Sequence, residues 1–380
     1  MTRSSSPRAI VVGGSLGGLL AATTLRAAGW SVDVFERSPS ALDSRGGGIV
    51  LQPDVLDAFR FAGVAHGSAL GVRSGDRIYL DAADRVVHRS FMPQTQTSWN
   101  MLYGAMRSAL PSGTVHAGER LVSFREAVGT VTALFESGRL ETGDLLVGAD
   151  GARSAVRGQL LPGHAPRYAG YVAWRGLVPE KEVATSVANR LGQAFVFQQG
   201  PDHLLLEYLV PGEDGATAEG ARRRNWVWYR PLDRESLARL LTARDGSVHA
   251  LALPPGLAKD GDVAALRRDA LALLSPSLRA LVLATEAPFV QAIVDLSVPR
   301  MRFGATVLIG DAAFVPRPHT AGSTAKAAAN ALSLAQALRV GAQGPAEDRL
   351  ARWEAQQLAL GRSMSAAGIG MGNRIMGLDR

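Results

Sequence analysis

Three short stretches carry residue types and spacings that could do chemistry together. In the first, Gly13-Gly14-Ser15-Leu16-Gly17-Gly18 separates a β-branched run from an apolar-patterned helix, and Glu36 lies 18 residues past Gly18. Gly13 permits a tight turn, Gly18 lets helix and strand approach, and a timed acid can accept ribose hydroxyls, so the pattern fits an adenine dinucleotide. Ser15 stands where a glycine usually lets the backbone reach a pyrophosphate, and it can still donate N–H and O–H to phosphate. This fingerprint does not choose between FAD and NAD. The second stretch, 147–157 (VGADGARSAVR), ends a buried run in Asp150-Gly151 and opens a helix with Arg153, Ser154 and Arg157 in its first turns. A helix-capping aspartate is the simpler account of Asp150. The third, 305–338, reads as a strand at 306–309, a Gly310-Asp311 turn, a loop at 314–319 stiffened by prolines, and an alanine-rich helix from near Ser323. Free N–H groups at such a helix start suit an electron-rich or anionic group, although an ordinary strand-to-helix crossover has the same outline.

Composition narrows the possibilities. A chain of 380 residues suits about two domains. Its 47% apolar and 20% charged residues are ordinary for a soluble globular protein. With no cysteine there is no disulfide, thiolate metal site or cysteine nucleophile, and the seven histidines show no metal-binding spacing. The net charge of +7 comes almost wholly from dispersed arginines, with Arg222-Arg223-Arg224 the only compact run. Dispersed charge argues against a nucleic-acid partner and leaves a field that attracts anionic cofactors or acidic substrates. No signal sequence is evident and no apolar run approaches the roughly 18 residues of a membrane span, so a cytoplasmic protein with no membrane partner is expected.

The elements that must position these stretches follow from periodicity. Strands at 8–13 and 31–35 flank the first helix as a βαβ unit, and a Gly46-Gly47-Gly48 loop, with Arg45 placed for a phosphate, leads into another strand. That loop reads equally as mobile surface. A helix over 53–62, hairpins across 72–92, a helix near 100–110 and a meander of short strands across 115–147 return the chain to the parallel sheet. From 168 to 296 aromatic-rich strands predict a large antiparallel sheet, with helices at 234–243 and 262–274 on one face. After a linker at 341–345, a helix over 346–360 and a glycine-rich packing tail are expected.

The three motifs, in this order, resemble the class A flavoprotein aromatic hydroxylases. Within that family YAGYVAWRG (168–176), MPQTQTSWN (92–100), NWVWYR (225–230) and GDAAFVPRPHT (310–320) are similar to the 2,6-dihydroxypyridine 3-hydroxylase branch. The resemblance implies an α/β fold with a Rossmann-like FAD-binding domain (1–71, 101–167 and 297–345), a substrate domain built on a large antiparallel β-sheet (72–100 and 168–296), and a C-terminal helical segment (346–380). It implies FAD as cofactor, NADH or NADPH as reductant, O2 as co-substrate, and hydroxylation of a small aromatic substrate through a flavin hydroperoxide. Gly13, Ser15, Leu16, Gly18, Glu36 and Arg37 would hold the ADP half, Arg45 and Arg153 would lie near phosphate, and Asp150 would serve the second motif. Gly310 and Asp311 would meet the ribityl chain, and Pro318, Gly322, Ser323 and Thr324 the flavin ring.

Candidates for deprotonating or binding a ring hydroxyl are His319, His203, Tyr208 and Tyr229. Departures from the family pattern are Phe314 for a histidine, Ala321-Gly322-Ser323 for Gly-Gln-Gly, Asn330 for an acid and Tyr103 for an arginine. Alternatives are hydroxylation or Baeyer–Villiger oxidation of a larger polycyclic product, an NAD-dependent dehydrogenase, and a non-catalytic flavin-binding protein. A homodimer is left open.

Overall fold

The β-branched run Arg8–Val12 lies at the centre of a parallel sheet because both of its faces are buried, which suits Ile10, Val11 and Val12. The computed structural model describes residues 6–40, 47–66 and 70–378. The strand order is Arg302–Phe303, Thr306–Leu308, Leu145–Gly148, Arg8–Val12, Ser31–Glu36, Val115–Ala117. All pairings are parallel except the first. The strands that precede the three motifs are thus adjacent, and their C-terminal ends open on one side. Helix Leu16–Ala27 packs on helix Ser323–Ala337, where Ala328, Ala331 and Ala335 are fully buried and let the backbones come close; Thr24 Oγ1 donates to the Ala331 carbonyl at 3.3 Å. Strands Leu121–Ala127, Thr130–Phe135 and Leu140–Gly143 form a separate meander whose Phe135 stacks on Phe35 at 4.4 Å.

Among the described residues the second sheet has ten strands, and its two faces follow from alternation. Val172, Trp174, Trp226 and Trp228 pack with Leu191, Leu237, Leu266 and Leu278 of the covering helices. Tyr171, Ala173, Tyr208, Val227 and Tyr229 point to the other face. Strand Phe289–Ser297 of this sheet pairs with Phe314–Val315, directly after the Gly310-Asp311 turn, and so couples the two sheets. Gly48–Val50, expected within the nucleotide-binding part, pairs instead with Val86–Ser98 as the edge of the large sheet. The chain therefore crosses between sheets before residue 72, because Ile49 and Val50 find ladder partners in Thr97 and Gln96.

The expected helix over 346–360 and glycine-rich tail are one continuous helix, Ala346–Met376. Interior glycine costs a helix roughly 1 kcal/mol relative to alanine, but three of these glycines sit where no side chain fits. A Cβ at Gly361 would lie 2.4 Å from the Phe314 ring, at Gly368 3.0 Å from the Arg317 nitrogen, and at Gly372 2.5 Å from the Tyr171 hydroxyl. Packing overrides propensity. Gly361→Ala is expected to destabilise by about 1–3 kcal/mol through overpacking. Gly370→Ala, whose nearest neighbour is the flexible Arg374 side chain at 3.5 Å, is expected to stabilise by roughly 0.5–1 kcal/mol. Thermal unfolding of the two variants should shift in opposite directions.

Candidate active site

The first turn is built around close backbone approach. Gly13 has φ 107° and donates its N–H to the Phe35 carbonyl at 2.8 Å, and a Cβ there would strike the Ala149 carbonyl. Glu36 accepts from the Gly14 N–H at 2.7 Å and the Ser38 N–H at 2.9 Å, so it braces the turn as well as facing the space above it. In the second motif Asp150 Oδ2 accepts from the N–H groups of Ala155 and Val156 at 2.6 and 3.2 Å, as a capping residue would. Its Oδ1 is buried without a partner, and burial pushes its pKa up. Arg157 donates to the carbonyls of Ala152, His164 and Ala312, tying the second motif to the third through backbone oxygens. In the third, Asp311 Oδ1 accepts from Ser323 Oγ at 2.7 Å and Lys326 Nζ at 2.8 Å. Asn330 Oδ1 accepts from the Gly310 N–H at 3.0 Å while its Nδ2 donates to Gln357, so an amide at this position holds the turn to the C-terminal helix.

These turns surround one cavity of about 570 Å3. Its wall holds Gly13, Ser15, Leu16, Glu36, Arg37, Asp150, Arg153, Gly310, Asp311, Ser323 and Thr324. Gly18 lies beneath the turn rather than on the wall. Pro318 and Gly322 also stand off the wall, and Gly322 backs onto Met364. Arg45 lies outside the described residues. Trp99 joins the wall and stacks on Tyr103 at 4.6 Å, which gives that departure from the pattern a packing role. The donor set fits FAD: backbone N–H groups and arginines for phosphate, Glu36 and Asp311 as hydroxyl acceptors, and an orphaned Asp150 oxygen.

Beyond the third motif, His319 Nε2 lies 2.8 Å from the Tyr171 hydroxyl, and its ring centroid lies 4.3 Å from that of Tyr229. Burial, reinforced by the Arg317 guanidinium, holds the imidazole at about 4, so it is neutral at neutral pH. Arg317 is fixed by Asp295 through both carboxylate oxygens at 2.8 Å and by Asn373 of the C-terminal helix at 2.8 Å. Tyr208 and Tyr229 share this face, and burial raises both phenols. His203 does not join them. It accepts from Trp228 Nε1 at 3.2 Å on the helix-covered face, where it is a satisfied core histidine.

Two residues not singled out from the sequence complete the patch. Ladder registry sets Ala173–Tyr229–Leu204, Arg175–Val227–Leu206 and Leu177–Asn225–Tyr208 in three successive rows of one face. Arg175 Nε, Asn225 Nδ2 and His319 Nδ1 are all buried without partners. A charged residue at an inward-alternating position of a strand was the available signal for Arg175.

The low His319 pKa has a stability consequence. The folded value lies below the ordinary 6.5, so as pH falls the unfolded chain takes the proton first and stability drops between 6.5 and about 4. His319→Asn should remove of order 2 kcal/mol of the loss between pH 6.5 and 5, read by denaturant unfolding against wild type. His203, also lowered by burial, contributes equally to both proteins.

Residues 168–295 match a family model described as FAD binding domain-like. The 2,6-dihydroxypyridine 3-monooxygenase of Paenarthrobacter nicotinovorans is 35% identical over 366 residues, 94% of this chain and 89% of that protein. The chain belongs to the FAD-dependent aromatic hydroxylases: it is a flavin monooxygenase and FAD is its cofactor. The 6-hydroxynicotinate 3-monooxygenase of Pseudomonas fluorescens is 27% identical, over 88% of this chain and 83% of that one. The solved structure of 2,6-dihydroxypyridine-3-hydroxylase from Arthrobacter nicotinovorans aligns with a TM-score of 0.92 at 33% identity, covering 98% of this chain and 93% of that chain. With membership shown, the dehydrogenase alternative falls. No helix among the described residues is long and apolar enough to cross a membrane.

Proposed function

We propose that the protein hydroxylates a small, acidic, hydroxypyridine-type ring, using NADH or NADPH as reductant and O2 as co-substrate. The observation that carries this is the patch of unpartnered donors, Arg175 Nε, Asn225 Nδ2 and His319 Nδ1, on the aromatic face of the large sheet. Successive rows on one face lie roughly 7 Å apart, so the neighbouring Arg175 and Asn225 rows are separated by about the span of one substituted ring. The similarity to hydroxypyridine and hydroxynicotinate monooxygenases supports the same substrate class. The ADP half of FAD would lie along Gly13–Gly18, Glu36 and Arg37, the phosphates near Arg153, the ribityl chain at Asp311, and the flavin ring beside 318–324. The segments 72–100 and 168–296 would supply the substrate side.

Bound FAD supplies the two-electron carrier on which O2 is activated for transfer to the ring. The chain's own part is orientation and charge. Arg175 favours the ionised form of a ring hydroxyl, which pushes electron density onto the carbon to be attacked. The aromatic wall of Tyr171, Tyr208 and Tyr229 fixes the ring plane and keeps water out. His319 was expected as a base, but a group held at about 4 is a weak proton acceptor at neutral pH. With Nε2 engaged by Tyr171, its Nδ1 instead orients a ring oxygen. Such a site suits a substrate already acidic enough to ionise beside a guanidinium. His319→Asn is expected to lower kcat/KM by about ten- to a hundredfold while leaving the pH profile near neutrality unchanged; loss of a neutral-range limb would restore His319 as the base.

The experiment is to purify the protein, record its flavin spectrum, and follow NADH and NADPH oxidation with hydroxypyridines, hydroxybenzoates and a polycyclic phenol. Hydroxypyridine turnover with stoichiometric product supports the assignment. Coupled product only from the polycyclic phenol, or hydrogen peroxide alone from every hydroxypyridine, sinks it.

A further inference from the structure

Lys326 is one of only three lysines in the chain, and it stands in the alanine-rich helix Ser323–Ala337 with its side chain fully enclosed. An apolar residue would pack beside Ala325, Ala327 and Ala328 without the cost of burying an amine. Its Nζ donates to Asp311 Oδ1 at 2.8 Å and to the Phe314 carbonyl. Asp311 is less enclosed, with 42% of its side chain exposed on the cavity wall. Because Ser323 Oγ donates to the same Oδ1, the other carboxylate oxygen is left to a ligand.

We propose that Lys326 is a positioning residue for the flavin, presenting one oxygen of Asp311 to the ribityl chain and cancelling its charge where the reduced, anionic flavin must be held. The proposal rests on the assignment of Asp311 to the FAD cavity. Without the lysine, an uncompensated carboxylate would face the reduced cofactor and disfavour it relative to the oxidised form. Burial lowers the Lys326 pKa while Asp311 raises it, and the 2.8 Å contact between them makes the two groups a pair.

The test measures FAD affinity by fluorescence titration and the midpoint potential of bound FAD in wild type, Lys326→Met, Lys326→Gln, Asp311→Asn and the Lys326→Met/Asp311→Asn double variant. Lys326→Met should bind oxidised FAD about tenfold more weakly. It should bind reduced FAD weaker by a further tenfold, a potential drop of about 30 mV for a two-electron couple. Lys326→Gln keeps a donor, so it should recover affinity and not potential. Asp311→Asn should weaken binding and raise the potential, and the double variant should return the potential toward wild type. Wild-type potentials in both Lys326 variants overturn the proposal while leaving the cavity assignment intact. Wild-type affinity and potential in Asp311→Asn overturn the cavity assignment and the proposal with it. Where Lys326→Met does not fold, Lys326→Gln decides, and where neither folds, an unchanged potential in Asp311→Asn overturns the proposal and a raised one supports it.

Discussion

A Gly18→Ala protein should purify without colour. The added Cβ would lie 1.8 Å from the Gly13 carbonyl oxygen and 3.3 Å from Val11 Cγ1, and the first of these is backbone of the tight turn itself. Relief requires helix Leu16–Ala27 to retreat from the strand, carrying its N-terminal N–H groups away from the phosphates they would bind. The expected loss of FAD affinity is more than about a hundredfold, on the order of 3 kcal/mol. Gly104→Ala is the control, since nothing lies within 4 Å of its Cβ and it is off the cavity wall, so the flavin should stay bound. Equal flavin content in the two variants, measured by absorbance after gel filtration, would remove Gly13–Gly18 from the binding site.

The second large effect is on substrate. Arg175→Met keeps the volume of the side chain and removes the one guanidinium whose charge is felt by both Tyr208 and Tyr229. Leaving a substrate anion buried without its partner costs about 3–5 kcal/mol, so kcat/KM should fall at least a hundredfold. FAD affinity should not change, because Arg175 is not on the cofactor cavity wall. Reductant consumption should persist and run to hydrogen peroxide. A variant with kcat/KM within threefold of wild type would show that the substrate lies elsewhere on the sheet.

The parts of the molecule legible in the sequence were those fixed by short-range physics. The three turns announced themselves because strand, turn and helix lie within about twenty residues and each needs a particular glycine or aspartate. The alternation in NWVWYR assigned two faces to the strand, although only the covering helices decide which face is dry and which meets the cofactor side. His203 and His319 look alike as isolated histidines; tertiary packing gave one to Trp228 and the other to Tyr171. Gly361, Gly368 and Gly372 lie in the segment 346–380 expected to be helical, yet taken locally they suggest a tail, because their helix-breaking tendency is local and the contacts that override it are with residues 171, 314 and 317. Lys326 was hidden by its setting, since a lysine in an alanine-rich helix ordinarily snorkels to solvent.

The wall behind His319 is completed by the C-terminal helix, and Arg317 and its partner Asn373 are 56 residues apart. At ribosomal rates of about 5–20 residues per second, those two halves emerge roughly 3 to 11 seconds apart. All three glycine-bearing turns are therefore made well before the loop that carries Arg317 has its backing. A nascent chain can form its parallel sheet early, while the contacts of Arg317 with Asn373 wait for this later segment to dock. Substitutions along the glycine stripe should thus depress the yield of flavin-loaded protein made in cells more than they depress the specific activity of the fraction that matures.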